Sequence, residues 1–132
     1  MRRIVLAEDD VDDQLMMREI VEELSNDIVL SVFEDGEKVM QFMRTLDHAQ
    51  LPNLIILDQN MPRMKGSETI EGLQAVDKWK DIPAVIYTTY HDARFADKCR
   101  RNRIELFRKP DTVGELKKMM VYLMQKYLAI SV

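Results

Sequence analysis

The sequence predicts an α/β fold in which one domain is built on a five-stranded parallel sheet, doubly wound by helices. Three observations carry that prediction. Short aliphatic runs alternate five times with segments of helical periodicity, a rhythm that calls for parallel strands joined by right-handed crossovers. The best of those runs, Leu54-Ile55-Ile56-Leu57, has no polar interruption, as expected of a strand covered on both faces. The chain has 132 residues, of which 46% are apolar and 32% charged, an ordinary balance for one globular domain. Such a length buries roughly two thirds of the surface exposed by the unfolded chain.

The first strand is read at Ile4-Val5-Leu6-Ala7 and ends in Glu8-Asp9-Asp10. From Val11 to Leu24 the apolar residues Val11, Leu15, Met16, Ile20 and Leu24 recur at helical spacing, with Asp12 and Asp13 in the first turn, where the helix dipole favours acids. Ser25-Asn26-Asp27 breaks that helix. Ile28 to Phe33 is β-branched and apolar, and Asp35-Gly36 signals a turn. Val39, Phe42, Met43 and Leu46 follow the i, i+3, i+4, i+7 pattern of a helix. A polar loop from His48 to Asn53 leads into the strand that ends at Asp58.

In the second half, Pro62 and Gly66 bracket a loop, and Ile70, Leu73 and Val76 mark a helix. Pro83 opens a strand over Ala84 to Thr88. Asp92 to Arg101 is amphipathic, with Phe95, Ala96 and Cys99 as its inner face. Leu106-Phe107-Arg108 is a brief strand stopped by Lys109-Pro110. The last helix runs from Thr112 to Leu128, with Val113, Leu116, Met119, Met120, Leu123, Met124 and Tyr127 on one side. Most of the ten methionines fall on inward helical faces and read as core fillers.

Composition removes several function classes. A net charge of −4 gives no bulk electrostatic case for nucleic acid or an acidic membrane. The single cysteine, Cys99, precludes an internal disulfide and fits a reducing, cytoplasmic compartment. No run reaches transmembrane length, and Met1-Arg2-Arg3 leads into a strand rather than a signal peptide's apolar core. Glycine-rich phosphate loops and zinc-like His/Cys spacing are both missing. His48 and His91 are isolated loop histidines and receive no role.

The polar interruptions of the pattern fall at carboxyl ends of strands: Glu8, Asp9 and Asp10, then Asp58, Thr88 and Lys109. Parallel strands present these ends on one edge, where ligands of open α/β sheets collect. Several carboxylates in one pocket repel unless a positive group neutralises them. A lysine and a hard cation are the candidates, and an oxygen-only ligand set suits Mg²⁺. Carboxylates, Mg²⁺, a hydroxyl and an ammonium together describe a phosphoryl-transfer site, with an aspartate competent to form an acyl phosphate.

This residue set resembles the receiver domain of two-component response regulators. The matching features are Glu8-Asp9 as the acidic pair, Asp58 followed by Met61-Pro62 and Gly66, Thr88 five residues past Pro83, and Lys109-Pro110. The likeness covers essentially the whole chain. The loop before Asp58 and the Asp12-Asp13 pair are similar to those of the single-domain regulators that partner bacteriophytochrome-type kinases. The resemblance implies a flavodoxin-like fold with strand order 2-1-3-4-5 and a stand-alone receiver without an output domain.

It also implies that Asp58 accepts a phosphoryl group from a sensor histidine kinase or phosphotransfer protein. Asp9, Asp58 and the backbone carbonyl of Asn60 would ligate Mg²⁺, with Glu8 acting through water and Asp10 extending the pocket. Thr88 would be the switch hydroxyl, and Lys109 would pair with Asp58 or its phosphate. Signalling would pass by contact with a downstream protein.

Two positions set this chain apart. The aromatic that receivers commonly place three residues before the lysine is Leu106 here, and Phe107, one place later, belongs to the opposite face of its strand. Tyr90, two residues after Thr88, is expected to shield an acyl phosphate from water. Seven basic residues between Arg94 and Lys109 read either as a solvated face or as a docking or self-association surface, the latter allowing a homodimer. Two other classes compete with a receiver. A small aspartyl-phosphate phosphohydrolase would want a second aspartate two residues past the nucleophile, where Asn60 stands. A binding module that kept the fold but lost the chemistry would not need the full set of acids, Thr88 and Lys109.

Overall fold

The computed structural model describes residues 1–89 and 92–132. Strands β1 (Arg2–Ala7), β2 (Ile28–Phe33), β3 (Leu54–Asp58), β4 (Ala84–Thr88) and β5 (Glu105–Arg108) alternate with helices α1 (Val11–Leu24), α2 (Gly36–Met43), α3 (Gly66–Gln74), α4 (Ala93–Arg101) and α5 (Val113–Tyr127). The strands form one sheet in the order β2-β1-β3-β4-β5, and every pairing is parallel. The register sets Ala7 beside Leu57 and Asp58 beside Tyr87, so the ends of β1, β3 and β4 lie in a row.

Period-two alternation sends each strand's side chains to two separate cores. Ile4, Leu6, Leu54, Ile56, Val85 and Tyr87 meet Met17, Ile20 and Val21 of α1 and Met120, Leu123 and Met124 of α5. On the other face Val5, Ala7, Ile55, Leu57 and Ile86 meet Val39 and Met43 of α2, Ile70 and Leu73 of α3, and Cys99 of α4. β3 is buried at all five positions, as its unbroken aliphatic run requires. Cutting one of its leucines to alanine would cost about 2–5 kcal/mol.

Three differences from the sequence reading have local causes. In α1 the inward residues are Met17, Ile20 and Val21, whereas Val11 and Leu15 are 64% and 53% exposed. Apolar residues spread around most of that helix, so periodicity alone did not single out the buried stripe. α2 begins earlier than its apolar pattern, because the Asp35 carboxylate accepts the Lys38 N–H and caps the helix before any apolar side chain is reached. The polar loop before β3 contains a 3-10 turn at His48–Gln50, closed by mutual hydrogen bonds between Asp47 and Gln50. The expectations placed on Tyr90 and His91 lie outside the described residues.

Candidate functional site

The carboxyl ends of β1, β3, β4 and β5 converge on one polar cluster. Asp58 closes β3 and is 4% exposed. Its Oδ1 accepts the Asn60 N–H at 3.2 Å, and its Oδ2 lies 3.4 Å from Lys109 Nζ. Burial pushes the Asp58 carboxyl above the ordinary carboxylate range, against the opposing pull of Lys109.

Glu8, the first residue after β1, is fully buried. Its Oε1 accepts the Tyr87 hydroxyl at 2.6 Å and lies 2.7 Å from Lys109 Nζ, while its Oε2 accepts the Asp10 N–H at 3.0 Å. Burial raises the Glu8 pKa too, with the Lys109, Tyr87 and Asp10 donors pulling it back. Lys109 also reaches Asp13 Oδ2 at 2.9 Å, so three carboxylates share one ammonium. Burial disfavours that ammonium, but hydrogen bonds to Glu8 and Asp13 outweigh it, and its pKa stands above that of an ordinary lysine.

The sequence-predicted residues fall into place unevenly. Glu8, Asp9 and Asp58 each offer a carboxylate oxygen within 4.8 Å of the others, with Asp9 exposed to solvent. Asp10 stands outside that group and caps α1, its Oδ1 accepting the Asp13 N–H at 3.0 Å. Asn60 does more than its backbone suggested, since its side-chain amide donates to Thr88 Oγ1 at 3.1 Å. Thr88 is fully buried at the end of β4, and its carbonyl accepts the Lys109 N–H at 2.8 Å, which fixes the root of the lysine beside the acids. Leu106 packs in the core under α2 to α4, and Phe107 packs on the other face against the Tyr122 ring at 5.9 Å. Within the basic segment, Arg100 pairs with Asp97 and Lys98 with Glu71.

Sequence reasoning missed Tyr87 and Asp13 as members of the cluster. Tyr87 read as one more strand residue and Asp13 as a first-turn acid. Their period and register were the only available signals.

The donor set fits a small hard cation. All three grouped ligands are carboxylate oxygens, Asp9 opens the group to water, and one lysine leaves the acids under-neutralised. Their carboxylate oxygens all lie within 4.8 Å of one another, so one such ion could be shared among them directly or through water.

Residues 4–120 match the model of the response regulator receiver domain. This chain belongs to that family. Over 92 residues the receiver is 32% identical to the response regulator Rcp1 of Synechocystis sp., a match covering 67% of this chain and 63% of that relative, slightly under two thirds of its length. The crystal structure of the Mn(2+)-bound form of Rcp1 aligns over 100% of this chain and 98% of its own, with a TM-score of 0.84 and 25% identity. The phosphorylated cyanobacterial phytochrome response regulator RcpA has a TM-score of 0.86 at 21% identity, covering 99% of this chain and 96% of its own, and so shares the fold. Strand order 2-1-3-4-5 is thus the receiver arrangement, and Asp58, Thr88 and Lys109 occupy three of its strand ends. Among the described residues no helix is long and apolar enough to cross a membrane.

Proposed function

We propose that this receiver takes a phosphoryl group onto Asp58 from a phosphohistidine of a sensor kinase or phosphotransfer protein, and signals by protein contact. The observation that carries the reading is Asp58 itself, a nearly buried carboxylate at a strand end, grouped with Glu8 and Asp9 and 3.4 Å from Lys109 Nζ. In the transfer, an Asp58 carboxylate oxygen forms a bond to phosphorus while the phosphorus–nitrogen bond breaks. The released electron pair stays on the imidazole nitrogen. Asp9 and Asp58, with the Asn60 carbonyl and with Glu8 through water, would hold Mg²⁺, which supplies neutralisation of charge on the phosphoryl oxygens. Lys109 takes up a phosphoryl oxygen, and the Thr88 hydroxyl donates to another. A neutral amide at Asn60 leaves no carboxylate at the place where a phosphohydrolase would need its acid/base group.

Incubation with acetyl phosphate and Mg²⁺, followed by intact mass, tests the reading. Wild type should gain one phosphoryl group that a mild base removes, and Asp58→Asn should gain none. An Asp58→Asn protein modified to the same extent would refute it. Rapid turnover of a phosphomonoester without accumulation would point instead to a phosphohydrolase, and no modification at all to a binding module.

A further inference from the structure

Tyr87 is a tyrosine where β4 is otherwise aliphatic up to Thr88, and it is among the largest fully buried side chains of the molecule. Because Asp58 and Tyr87 are register partners, the ring lies next to the acceptor strand, and its hydroxyl reaches past β3 to Glu8 beyond β1. Two groups compete for the same oxygen: Glu8 Oε1 accepts the Tyr87 hydroxyl at 2.6 Å and holds Lys109 Nζ at 2.7 Å. The ammonium also stands 5.2 Å from the Tyr87 ring centroid, so the one side chain touches both partners of the ion pair.

Lys109 therefore rests on Glu8 and Asp13 and lies farther from Asp58, at 3.4 Å. A phosphoryl group on Asp58 would draw the ammonium toward itself. A fully buried glutamate deprived of its counter-ion carries a large desolvation cost unless another donor remains. The Tyr87 hydroxyl is such a donor, and being neutral it adds no competing charge.

We infer that Tyr87 is a positioning residue that keeps Glu8 satisfied while Lys109 moves to the phosphoryl group on Asp58. This rests on the reading of Asp58 as acceptor. The hydroxyl, rather than the ring, carries the role, so Tyr87→Phe isolates it by retaining both the packing and the ring beneath the ammonium. Without the hydroxyl, Glu8 holds Lys109 more tightly and the phosphoryl group loses its cation.

The test is the affinity for fluoroberyllate in saturating Mg²⁺, compared with the affinity for Mg²⁺ alone. Tyr87→Phe should bind fluoroberyllate roughly tenfold more weakly, the scale of one hydrogen bond to a charged group. Its Mg²⁺ affinity should stay within about twofold of wild type, because binding the ion alone does not require Lys109 to leave Glu8. Unchanged fluoroberyllate binding would overturn the inference. So would an equal loss of Mg²⁺ affinity, which would mark general damage to the cluster. Should the phenylalanine variant lose its native melt, Tyr87→Met supplies the same missing hydroxyl with a flexible apolar filler and the same expected losses. If wild type itself takes neither fluoroberyllate nor phosphoryl, the acceptor reading has failed. If wild type binds and Tyr87→Phe matches it, only the role of Tyr87 has.

Discussion

Asp35 and Glu8 are both fully buried, they follow the adjacent strands β2 and β1, and their surroundings treat them in opposite ways. Asp35 Oδ2 accepts the Arg63 Nε–H at 2.6 Å, and Oδ1 accepts the Lys38 N–H at 2.9 Å. Burial raises its pKa, but the Lys38 amide and the Arg63 guanidinium outweigh that and hold the carboxyl below its ordinary value. Glu8 has a cation equally near, yet its pKa is raised, and so is that of Asp58. Burial is the largest influence on all three carboxyls, and at Glu8 and Asp58 the donors do not outweigh it. The charge is also shared differently. Arg63 gives its shortest contact to Asp35 and a 3.3 Å contact to half-exposed Glu34, whereas Lys109 divides one charge among Glu8, Asp13 and Asp58. One corner is closed electrostatically and contributes stability. The other keeps a surplus of negative charge that an incoming cation can satisfy.

Removing each carboxylate in turn gives the largest expected contrast. Asp35→Ala deletes a helix cap and the partner of Arg63, and should destabilise the fold by about 2 kcal/mol. Asp58→Asn removes a buried charge from a crowded group, and at neutral pH without divalent ions it should raise Tm by a few degrees. Thermal melts of the two variants that fall in the same direction would break the comparison.

A smaller effect is expected from the ion. Mg²⁺ at tenfold over its dissociation constant should stabilise wild type by about 1.4 kcal/mol, through binding to the folded state alone. Asp9→Asn should lose most of that increment, while Asp35→Ala should retain it, because the two corners share no ligand. Urea denaturation with and without Mg²⁺ measures all three, and an undiminished increment in Asp9→Asn would remove that residue from the ligand set.

The smallest effect is on pH dependence. Glu8 and Asp58 have folded-state pKa values above their unfolded ones, so the folded state favours their protonation. Stability from that source is complete below the unfolded carboxylate value near ~4 and is lost as pH rises through the raised folded values. Asp35 is depressed, so its contribution is present above the unfolded value and is lost as pH falls through the folded one. In the absence of divalent ions, stability should therefore climb as pH falls through the raised folded values of Glu8 and Asp58, and then drop in acid below the unfolded carboxylate value. Asp58→Asn should flatten the first limb and Asp35→Ala the second, in chemical denaturation across that range.

The two corners were not equally legible. Asp58, Thr88 and Lys109 could be read because a polar residue ending an aliphatic run has few explanations, and because parallel strands must bring such ends together. Asp35 showed only as a turn residue. Its partner Arg63 lies 28 positions away in a loop, and no periodicity links the two. Tyr87 was hidden for another reason, since tyrosine is a common strand residue and nothing local tells a packed ring from one whose hydroxyl crosses to a second strand. The exposed Val11 and Leu15 mark a similar limit, because hydrophobic spacing fits more than one face when Met17 and Val21 are apolar as well.

Gly66 constrains how the acceptor can respond to charge. A β-carbon built there would stand 2.6 Å from the Asp58 carbonyl oxygen, and the Gly66 N–H donates to the Gln59 carbonyl at 3.3 Å. The main chain at position 58 is thus wedged against the start of α3, with no slack for even a methyl group. Any rearrangement that accompanies a new charge must therefore travel through side chains and the neighbouring connections, while the peptide carrying the acceptor serves as the anvil.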